Sequence, residues 1–518
     1  MIGLRTFSFQ QRSKHLWLRE GDQNSKFFHL ATKKRRKANQ INFLNNNNGE
    51  RVQWDSGLEE TMTGYFSHLF TATYTEWERV ISCVRSKVTT EQNMMMLAEV
   101  EEKEVKAALF NMHPDKSPCP DGMSPRLYQK CWPIVKKDVV ELVKQFFDTG
   151  IIHDHLKLTN IALIPKKQNP MVMTDLRPIS LCNVIYKVIS KVLANRLKQV
   201  LDYVISDSQS AFIPGRLITN NIMVAFEVMH YMKRKSRGKE AWMALKVDMS
   251  KAYDRVEWSF LQATLLMKGI YDAYIFCNAS MECANHVVQL LSLFEKASGQ
   301  QINVDKSSVF FSNNTCNSLK QDLCHILKCR EANDRSLYLG LPNIMGRNKN
   351  SIFGYINDKM NERIEGWDKK SLSKGGKEVL LKTKAQSLPN YAMSVFFLPV
   401  QLCQDLERLM CKYWWRSSPQ KEKGIHWKSW DNMSKKKLEG GMGFRNVRDF
   451  NVGLLGNQGW RLLKYPNKLV NRVFKARYYP DRSFLNAKIG SNLSYIWRSV
   501  LESQSVLKQG VGCRVGNG

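Results

Sequence analysis

In the stretch WMALKVDMSKAYDRVEW (residues 242–258), a strand pattern leads into an aspartate, and an aromatic residue follows five positions later. Its alternation places Leu245 and Val247 on one side and Lys246 and Asp248 on the other. Such alternation is typical of a half-buried strand, here with an aspartate at its end. The position raises the question of whether Asp248 is one half of a metal-binding pair.

Further strands and helices are predicted on the C-terminal side of this stretch. VEWSFLQATLLMKG (256–269) has the pattern of a helix that Gly269 closes. DAYIFCN (272–278) and SSVFFSN (307–313) resemble strands, and the helix-like ECANHVVQLLSLFEKASG (282–299) separates them. The segment therefore alternates strands and helices.

Other parts of the chain carry simpler patterns. LTNIALIPKK (158–167) resembles a strand followed by basic residues, while residues 352–415 look helical and 425–518 are rich in Trp, Arg and Gly. Residues 185–204 give the clearest helix, because their apolar positions follow a period of 3.6 residues with cations between them. These apolar residues are Ile185, Val188, Ile189, Val192, Leu193, Leu197, Val200, Leu201 and Val204.

The charge balance indicates a polyanionic partner. The 518 residues include 78 Lys and Arg against 47 Asp and Glu, a net charge of +31. Such an excess opposes compactness unless a polyanion neutralises it. Nucleic acid is the first candidate, because basic side chains that neutralise phosphates release counterions, and an anionic membrane surface is the second. The longest apolar runs, such as AMSVFFLPV (392–400), are too short to span a bilayer. We therefore expect nucleic acid, and no membrane, to be the partner.

One basic run is concentrated enough to be a site by itself. KKRRK comprises Lys33, Lys34, Arg35, Arg36 and Lys37, in a region with helical pattern. Such a run is typical of a nuclear address or an RNA contact, and equally of a solvated helix face.

The twelve cysteines show no disulfide framework, which favours reduced thiols in the nucleus or cytosol. Cys324, His325 and Cys329 lie close together, but no second ligand pair follows at zinc spacing. Buried thiols are the favoured interpretation of this group.

Nine blocks in order resemble the reverse transcriptase of LINE-type, non-LTR retrotransposons of the plant sort. Each block alone is weak, and their shared order over nearly the whole chain carries the resemblance. The blocks are WLREGDQNSKFFH (17–29), DKSPCPDGMSP (115–125), LIPKK (163–167), DLRPISLCNVIYKVISKVLANRL (175–197), QSAFIPGR (209–216), KVDMSKAYDRVEW (246–258), EKASGQQINVDKSSVFF (295–311), YLGLP (338–342) and WDKKSLSKGGKEVLLK (367–382).

The resemblance implies an α+β fold, a right-hand polymerase of fingers, palm and thumb with mostly helical terminal regions. It divides the chain into four regions. A basic helical extension (1–100) corresponds to the family's linker toward an endonuclease that is absent here. Fingers and palm span 101–345, a thumb-like helical region spans 346–420, and a Trp/Arg/Gly-rich region covers 421–518. No endonuclease or zinc segment is recognised, so we expect the chain to be a fragment of the element's protein, located in the nucleus or, as a ribonucleoprotein, in the cytoplasm.

The resemblance also implies the reaction and the residues of the active site. The family adds deoxynucleoside triphosphates to a DNA primer on an RNA template, using two Mg²⁺ ions held by carboxylates. Asp248 and Asp272 match the metal-binding aspartates, and Lys306 matches a lysine that protonates pyrophosphate. Tyr338 to Pro342 resemble the segment that grips the primer. The residues that match nucleotide- and template-binding positions are Lys166, Lys167, Arg177, Gln209, Arg216 and Tyr253.

Four of these residues, each taken alone, also have an interpretation that involves no ligand. Asp248 could cap a turn, Tyr253 could be a core residue, Lys306 could be solvated, and Arg177 could bridge to a carboxylate. No protein partner is indicated.

The chain departs from the family at its second aspartate block. The family has Phe-Ala-Asp-Asp at a hairpin turn, but this chain has no Asp-Asp dipeptide, and Tyr271 replaces the first aspartate beside Asp272. The block Arg-Gln-Gly-Asp-Pro-Leu-Ser-Pro is absent too, and Cys119 stands where the family has glycine. A strand–helix–strand crossover alone needs about 30 residues, more than the interval from Asp248 to Asp272. We therefore expect a deletion near 269–271, a palm sheet short of one strand, and an unpaired edge.

The deletion predicts an impaired enzyme. Tyr271 is neutral at pH 7 and cannot replace a carboxylate that bridges two ions. Loss of several kcal/mol of transition-state stabilisation lowers a rate by roughly three decades or more. A nucleic-acid-binding remnant and an unstable pseudogene product are the alternatives. A genomic deletion and an erroneous gene assembly predict the same sequence.

Overall fold

The computed structural model describes residues 25–46, 48–73, 75–82, 88–117, 119–211, 213–265, 274–333, 336–342, 346, 348–368, 372–416, 425–490 and 492–510. Asp272, Tyr271 and the predicted helix end at Gly269 lie outside these ranges. Helices dominate and the sheets are small, which confirms the α+β class.

The helices of the described residues are Ser25–Asn39, Leu58–Phe70, Glu78–Ile81, Thr90–Leu97, Glu102–Phe110, Pro125–Lys130, Trp132–Thr149, Asp154–Lys157, Val184–Val204, Ile218–Arg234, Trp258–Leu265, Met281–Ser298, Asn317–Leu327, Lys349–Asp368, Lys374–Leu380, Asn390–Met393, Val400–Trp415, Trp430–Ser434, Val447–Lys464, Leu469–Tyr478, Tyr495–Leu501 and Gln504–Gly510. The short 3₁₀ segments are Met173–Asp175, Lys437–Glu439 and Phe484–Asn486, and Leu381–Ala385 is a π-helical turn.

The strands of the described residues are β1 (Phe43–Asn45), β2 (Arg51–Gln53), β3 (Thr159–Pro165), β4 (Leu176–Cys182), β5 (Trp242–Lys246), β6 (Met249–Ser250), β7 (Tyr274–Asn278), β8 (Gln301–Ile302), β9 (Ser308–Phe311), β10 (Arg330–Glu331), β11 (Leu337–Tyr338) and β12 (Leu341–Pro342).

The chain forms two compact units. The first contains the residues up to Ile205 together with the segment from Tyr253 through the helix Trp258–Leu265. The second contains 206–252 and the described residues from Tyr274 onwards. The four-region division expected from the sequence stays a prediction.

In the first unit, β3 and β4 form a long antiparallel hairpin from Thr159↔Cys182 to Pro165↔Leu176. The helix Val184–Val204 confirms the predicted helix and packs its apolar stripe into a core with Val105 and Val143. The helices Pro125–Lys130 and Trp132–Thr149 meet at Cys131, because Pro133 lacks an N–H and cannot continue a helix from the preceding turn. Gly150 ends the second helix at a φ of 71°, a conformation that glycine adopts readily because it has no Cβ.

The second unit contains a four-stranded sheet in the order β10-β9-β5-β7, and its central strand is the predicted one. β5 runs antiparallel to β7, with Leu245 opposite Ile275, and antiparallel to β9, with Leu245 opposite Val309. Within the described residues, β7 pairs with β5 alone and lies at an edge.

Both faces of β5 are covered. Met243, Leu245 and Val247 are at most 4% exposed and pack with the helices Met281–Ser298 and Asn317–Leu327. Ala244 points to the other face, against Met229 and Met232 of the helix Ile218–Arg234. Burial of a Leu, Val or Met side chain contributes roughly 1.5–3 kcal/mol, so this strand is fixed from two sides.

The remainder of the second unit is a helical body around a large apolar core that includes Phe353, Phe396 and Trp497. Asn451 is fully buried there, and its side-chain amide donates to the carbonyls of Met393 and Phe396. Its side-chain oxygen accepts from the N–H of Leu398, so each of these polar groups is satisfied. Among the helices described, none is both long and apolar enough to cross a bilayer.

Candidate active site

Asp248 lies two residues beyond the end of β5, where two hydrogen bonds fix its main chain. Its N–H donates to Oγ of Ser307 at 3.1 Å, and its carbonyl accepts from the N–H of Asn303 at 2.7 Å. The carboxylate of Asp248 is half-buried and makes no hydrogen bond or ion pair with the residues described. It is therefore available to a ligand, and the turn-capping interpretation has no hydrogen bond to support it.

Lys306 belongs to the turn that holds Asp248. Its N–H donates to the carbonyl of Asn303 at 3.2 Å, and Oγ of Ser307 donates to the same carbonyl at 2.8 Å. The Lys306 side chain is exposed. The fold thus places two predicted catalytic residues, 58 positions apart in the chain, on either side of one hydrogen-bonded turn.

The segment that resembles a primer grip forms a tight hairpin beside β5. β11 and β12 pair through Tyr338↔Leu341, and both residues of the connecting turn, Leu339 and Gly340, have positive φ angles of 50° and 80°. Positive φ at both positions is the geometry of a type I′ turn, which glycine favours at the second position. Lys246, the last residue of β5, donates from Nζ to the carbonyl of Leu337 at 3.0 Å.

One ring contact and one hydrogen bond reinforce this hairpin. The rings of Tyr338 and Tyr274 meet edge to face at 4.6 Å, which joins the hairpin to β7. The hydroxyl of Tyr391 donates to the carbonyl of Leu339 at 2.8 Å. The 337–342 hairpin is therefore held against the same strand end that carries Asp248.

Arg216 and Gln209 lie together in the loop before the helix Ile218–Arg234. The Arg216 side chain is 3% exposed, and its guanidinium donates to the carbonyls of Ser206 and Gln209. Asp207 lies 4.0 Å away. The structure thus gives Arg216 a loop-stabilising role, and contacts of either residue with template or nucleotide stay predictions.

Three cations that match nucleotide- and template-binding positions, Lys166, Lys167 and Arg177, lie on the first unit's hairpin. Lys167 pairs with Asp175 at 2.9 Å, and Nζ of Lys166 donates to the carbonyl of Thr174 at 2.8 Å. Arg177 lies opposite Ile164 on β4 and is exposed. Burial acts to raise the pKa of Asp175, but hydrogen bonds from Met171, Lys167 and Val172 outweigh it and lower that pKa.

Tyr253 follows β6 in the chain and is 67% exposed, in contrast to the core interpretation of this residue. It belongs to the first unit, whereas Asp248 belongs to the second. Asp272 lies outside the described residues. The structure therefore brings together Asp248, Lys306 and the 337–342 hairpin, and leaves the other assignments as predictions.

The basic run is exposed on the helix Ser25–Asn39. Lys33 through Lys37 are consecutive, so at 3.6 residues per turn they encircle the helix and do not form one stripe. A nucleic-acid contact and a solvated surface both remain compatible with this exposure.

Sequence reasoning missed three positioning residues. Ser307 and Asn303 hold the main chain of Asp248, and Lys246 holds the hairpin. The only sequence feature that pointed to them was their presence inside matched blocks. Cys324 and Cys329, by contrast, lie in or against the apolar core beside the sheet, and burial raises the pKa of both thiols.

The chain is similar to known proteins in the region of this site. The reverse transcriptase (RNA-dependent DNA polymerase) family matches residues 164–271, an interval that contains β4, β5 and Asp248. An uncharacterised mitochondrial protein of Arabidopsis thaliana is 38% identical over 133 residues, which are 26% of this chain and 86% of that protein. The chain belongs to the retrotransposon reverse transcriptase family, and its plant relatives fit the plant-like blocks.

Two longer proteins match over part of their length. An uncharacterised 149 kDa protein of transposon TX1 from Xenopus laevis is 26% identical over 261 residues, 49% of this chain and 19% of that protein. An Arabidopsis thaliana protein whose name provisionally calls it a ribonuclease H is 32% identical over 183 residues, 34% of this chain and 29% of that protein. The chain thus spans less than a third of either protein.

Reverse transcriptases generally use divalent metal ions, which prefer carboxylate oxygens. Asp248 fits such an ion, because its carboxylate has no partner among the described residues. The described residues hold no cluster of three acidic, His or Cys ligands. They therefore supply one ligand and do not by themselves fit a two-ion centre.

Proposed function

We propose that the chain is a LINE-type, non-LTR reverse-transcriptase-like protein that binds an RNA template and a DNA primer but extends the primer poorly. Its architecture is a right hand with an interrupted palm. By its family it is an RNA-directed DNA polymerase that uses Mg²⁺ and deoxynucleoside triphosphates.

One observation supports the proposal that the palm is interrupted and its activity impaired. Residues 266–273 alone connect the helix Trp258–Leu265 to β7, which pairs directly with β5. In the family a further helix and the first arm of the aspartate hairpin occupy this interval. The family match also ends at residue 271, where Tyr271 precedes Asp272.

The parts of the palm that remain support the proposal that the chain binds nucleic acid. Asp248, Lys306 and the 337–342 hairpin keep a connected arrangement, and the chain carries a net charge of +31. Binding that is driven by phosphate neutralisation weakens steeply with salt and has little sequence preference. We therefore assign nucleic-acid binding as the activity that survives, with Asp248, Asp272 and Lys306 as the remains of the catalytic set.

A binding titration tests this proposal. Purified full-length chain is titrated against a fluorescent RNA–DNA primer-template at several salt concentrations, and against a scrambled sequence. The proposal predicts a linear fall of log affinity with log salt and similar affinities for both sequences. Salt-independent binding, or no binding at low salt, contradicts it.

The deletion itself has a direct check. Sequencing of the transcript across codons 269–272 shows whether the message encodes the interrupted palm. A message with additional codons there, including an Asp-Asp pair, contradicts the interruption.

Location in the nucleus is the corresponding cellular proposal, supported by the exposed run Lys33–Lys37. A fluorescent fusion with all five cations changed to glutamine is expected to lose nuclear accumulation. Unchanged accumulation contradicts a nuclear-address role for this run.

A further inference from the structure

The helical body of the second unit contains a cavity of about 400 Å³ that the palm does not use. Its lining includes three cations, Lys349, Arg448 and Arg498, and one carboxylate, Glu502. The aromatic rings of Phe397 and Tyr495 line the cavity beside these charged groups. We call these six residues the C-terminal cation pocket.

Two of the cations are held in place by aromatic rings. Nζ of Lys349 lies 4.5 Å from the centre of the Tyr495 ring, and Cζ of Arg448 lies 4.1 Å from the centre of the Phe397 ring. Arg448 also donates to the carbonyl of Leu398 at 3.4 Å. These contacts fix positive charge at the wall of the cavity before any ligand arrives.

The third cation is available to a ligand. Arg498 is exposed, and its guanidinium makes no ion pair or hydrogen bond with the part of the chain that the structure describes. Its planar fork suits two oxygens of a phosphate. Arg498 is also close enough to Lys349 that burial and the Arg498 charge together lower the pKa of the lysine.

Helix ends add to the positive potential. Lys349 is the first residue of a 20-residue helix, and Val400, which also lines the cavity, begins a 16-residue helix. The second of these helices has no side-chain cap at its N-terminus. Unpaired N–H groups and the helix dipole both favour an anion at such an end.

We propose that the C-terminal cation pocket binds a phosphate group of a nucleic-acid backbone. Three cations against one carboxylate, with aromatic faces beside them, suit a phosphodiester and its attached sugar or base. The backbone is the favoured source because the chain as a whole carries a charge of +31. This inference rests on the proposed function only in requiring that the chain binds nucleic acid.

The first test compares two charge-matched double variants of the full chain. Lys349→Gln with Arg498→Gln removes two pocket cations, and Lys412→Gln with Arg472→Gln removes two exposed cations from other helices of the same unit. Affinity for a fluorescent single-stranded RNA is measured against salt. Loss of one phosphate contact makes the log–log slope shallower by about 0.7, a change expected in the pocket variant and absent from the control.

The second test uses inorganic phosphate as a probe that needs no nucleic acid. Phosphate is expected to raise the melting temperature of the wild type above that in chloride at equal ionic strength, and the pocket variant is expected to lose this rise. Arg498→Gln alone gives a milder variant if the double substitution lowers the melting temperature in chloride.

The outcomes separate this inference from the proposed function. If the wild type binds RNA and the pocket and control variants have equal slopes, the pocket does not contact the backbone and the inference is overturned. Stabilisation by phosphate with equal RNA slopes also overturns it, because the pocket then takes free phosphate. If the wild type binds no RNA, the proposed function and the inference that depends on it both fail, whatever phosphate does.

Discussion

The main-chain N–H of Asp248 donates to Oγ of Ser307 at 3.1 Å, across 59 residues of sequence. Ser307 in turn donates to the carbonyl of Asn303, whose own N–H donates to Asp248. The aspartate at the strand end and the turn that carries Lys306 therefore form one hydrogen-bonded unit. This unit remains although the segment between β5 and β7 is short.

Ser307→Ala tests that unit. The change leaves the Asp248 N–H without its acceptor, which costs about 1–3 kcal/mol when such a group is shielded from water. We expect a lower midpoint of denaturant unfolding and faster amide exchange at 247–250. Ser308→Ala is the matched control, because its side chain makes no hydrogen bond with the described residues; equal effects of the two variants would refute the account.

Lys246→Met tests the attachment of the hairpin. The substitution keeps the apolar stem but removes the donor to the Leu337 carbonyl. Amide exchange at 337–342 is expected to accelerate several-fold while exchange in β9 stays unchanged. Lys296→Met, an exposed lysine of a neighbouring helix, is the control. No change in the hairpin would show that Tyr338 and Tyr391 suffice to hold it.

Arg196→Met tests how much the buried Arg196 side chain stabilises the first unit. The Arg196 side chain is 7% exposed, pairs with Glu104 at 2.8 Å and donates to the carbonyls of Met96, Ala98 and Glu99. Without Arg196 these carbonyls lose their donor, which costs about 1–3 kcal/mol for each such group that is shielded from water. Amide exchange in the helix Val184–Val204 is expected to rise strongly, and Lys198→Met, on the exposed side of that helix, is expected to have little effect. Similar exchange in both variants contradicts the buried role.

The Arg196 pair also predicts acid sensitivity. A hydrogen bond from Arg196 is the main cause that lowers the pKa of Glu104. Its stabilisation is therefore present above the ordinary glutamate pKa and is lost as pH falls through the lowered value. Glu104→Gln is expected to reduce this acid-dependent part of the unfolding curve of the first unit, and an unchanged pH dependence contradicts the assignment.

His230 predicts a second pH dependence, in the second unit. Arg477 donates to Nδ1 of His230 at 2.9 Å, so this nitrogen must be unprotonated. Burial, with the charges of Arg477 and Arg234, lowers the pKa of His230 to about 4. The unfolded chain binds a proton at higher pH, so stability is lost as pH falls from about 6.5 towards 4.

His230→Gln is expected to flatten the melting temperature of the second unit across that interval. His325→Gln, at an exposed position, is expected to leave the slope unchanged. Parallel curves for wild type and His230→Gln would remove this histidine from the account.

The local patterns predicted the strands and long helices well, because alternation and the 3.6-residue period record burial directly. β5, β7, β9 and the helix Val184–Val204 all follow from such patterns. Partner choice was not predictable in this way. The pattern of its helix gives Arg196 as one of the cations between the apolar positions. In the structure its side chain is buried and pairs with Glu104, 92 residues away in the sequence.

Some residues of the candidate site could likewise be predicted from local sequence patterns, and others could not. Asp248 could be found at the end of its strand, and Lys306 within a matched block, from sequence alone. The hydrogen bonds of Ser307 and Asn303 could not be found, because a serine or asparagine in a turn has many possible partners. Arg216 shows the converse, since a matched block predicted a ligand contact while its guanidinium is bonded to nearby carbonyls.

Primer extension measures whether the interrupted palm still catalyses DNA synthesis. Purified wild type, Asp248→Ala and Asp272→Ala are supplied with an RNA template, an annealed DNA primer, deoxynucleoside triphosphates and Mg²⁺ or Mn²⁺, beside an active reverse transcriptase. We expect that all three bind the primer-template and that wild-type extension is at least about a thousandfold slower than that of the active enzyme. Rapid, metal-dependent extension by wild type that Asp248→Ala and Asp272→Ala abolish would contradict it, because the chain would then hold a complete catalytic centre.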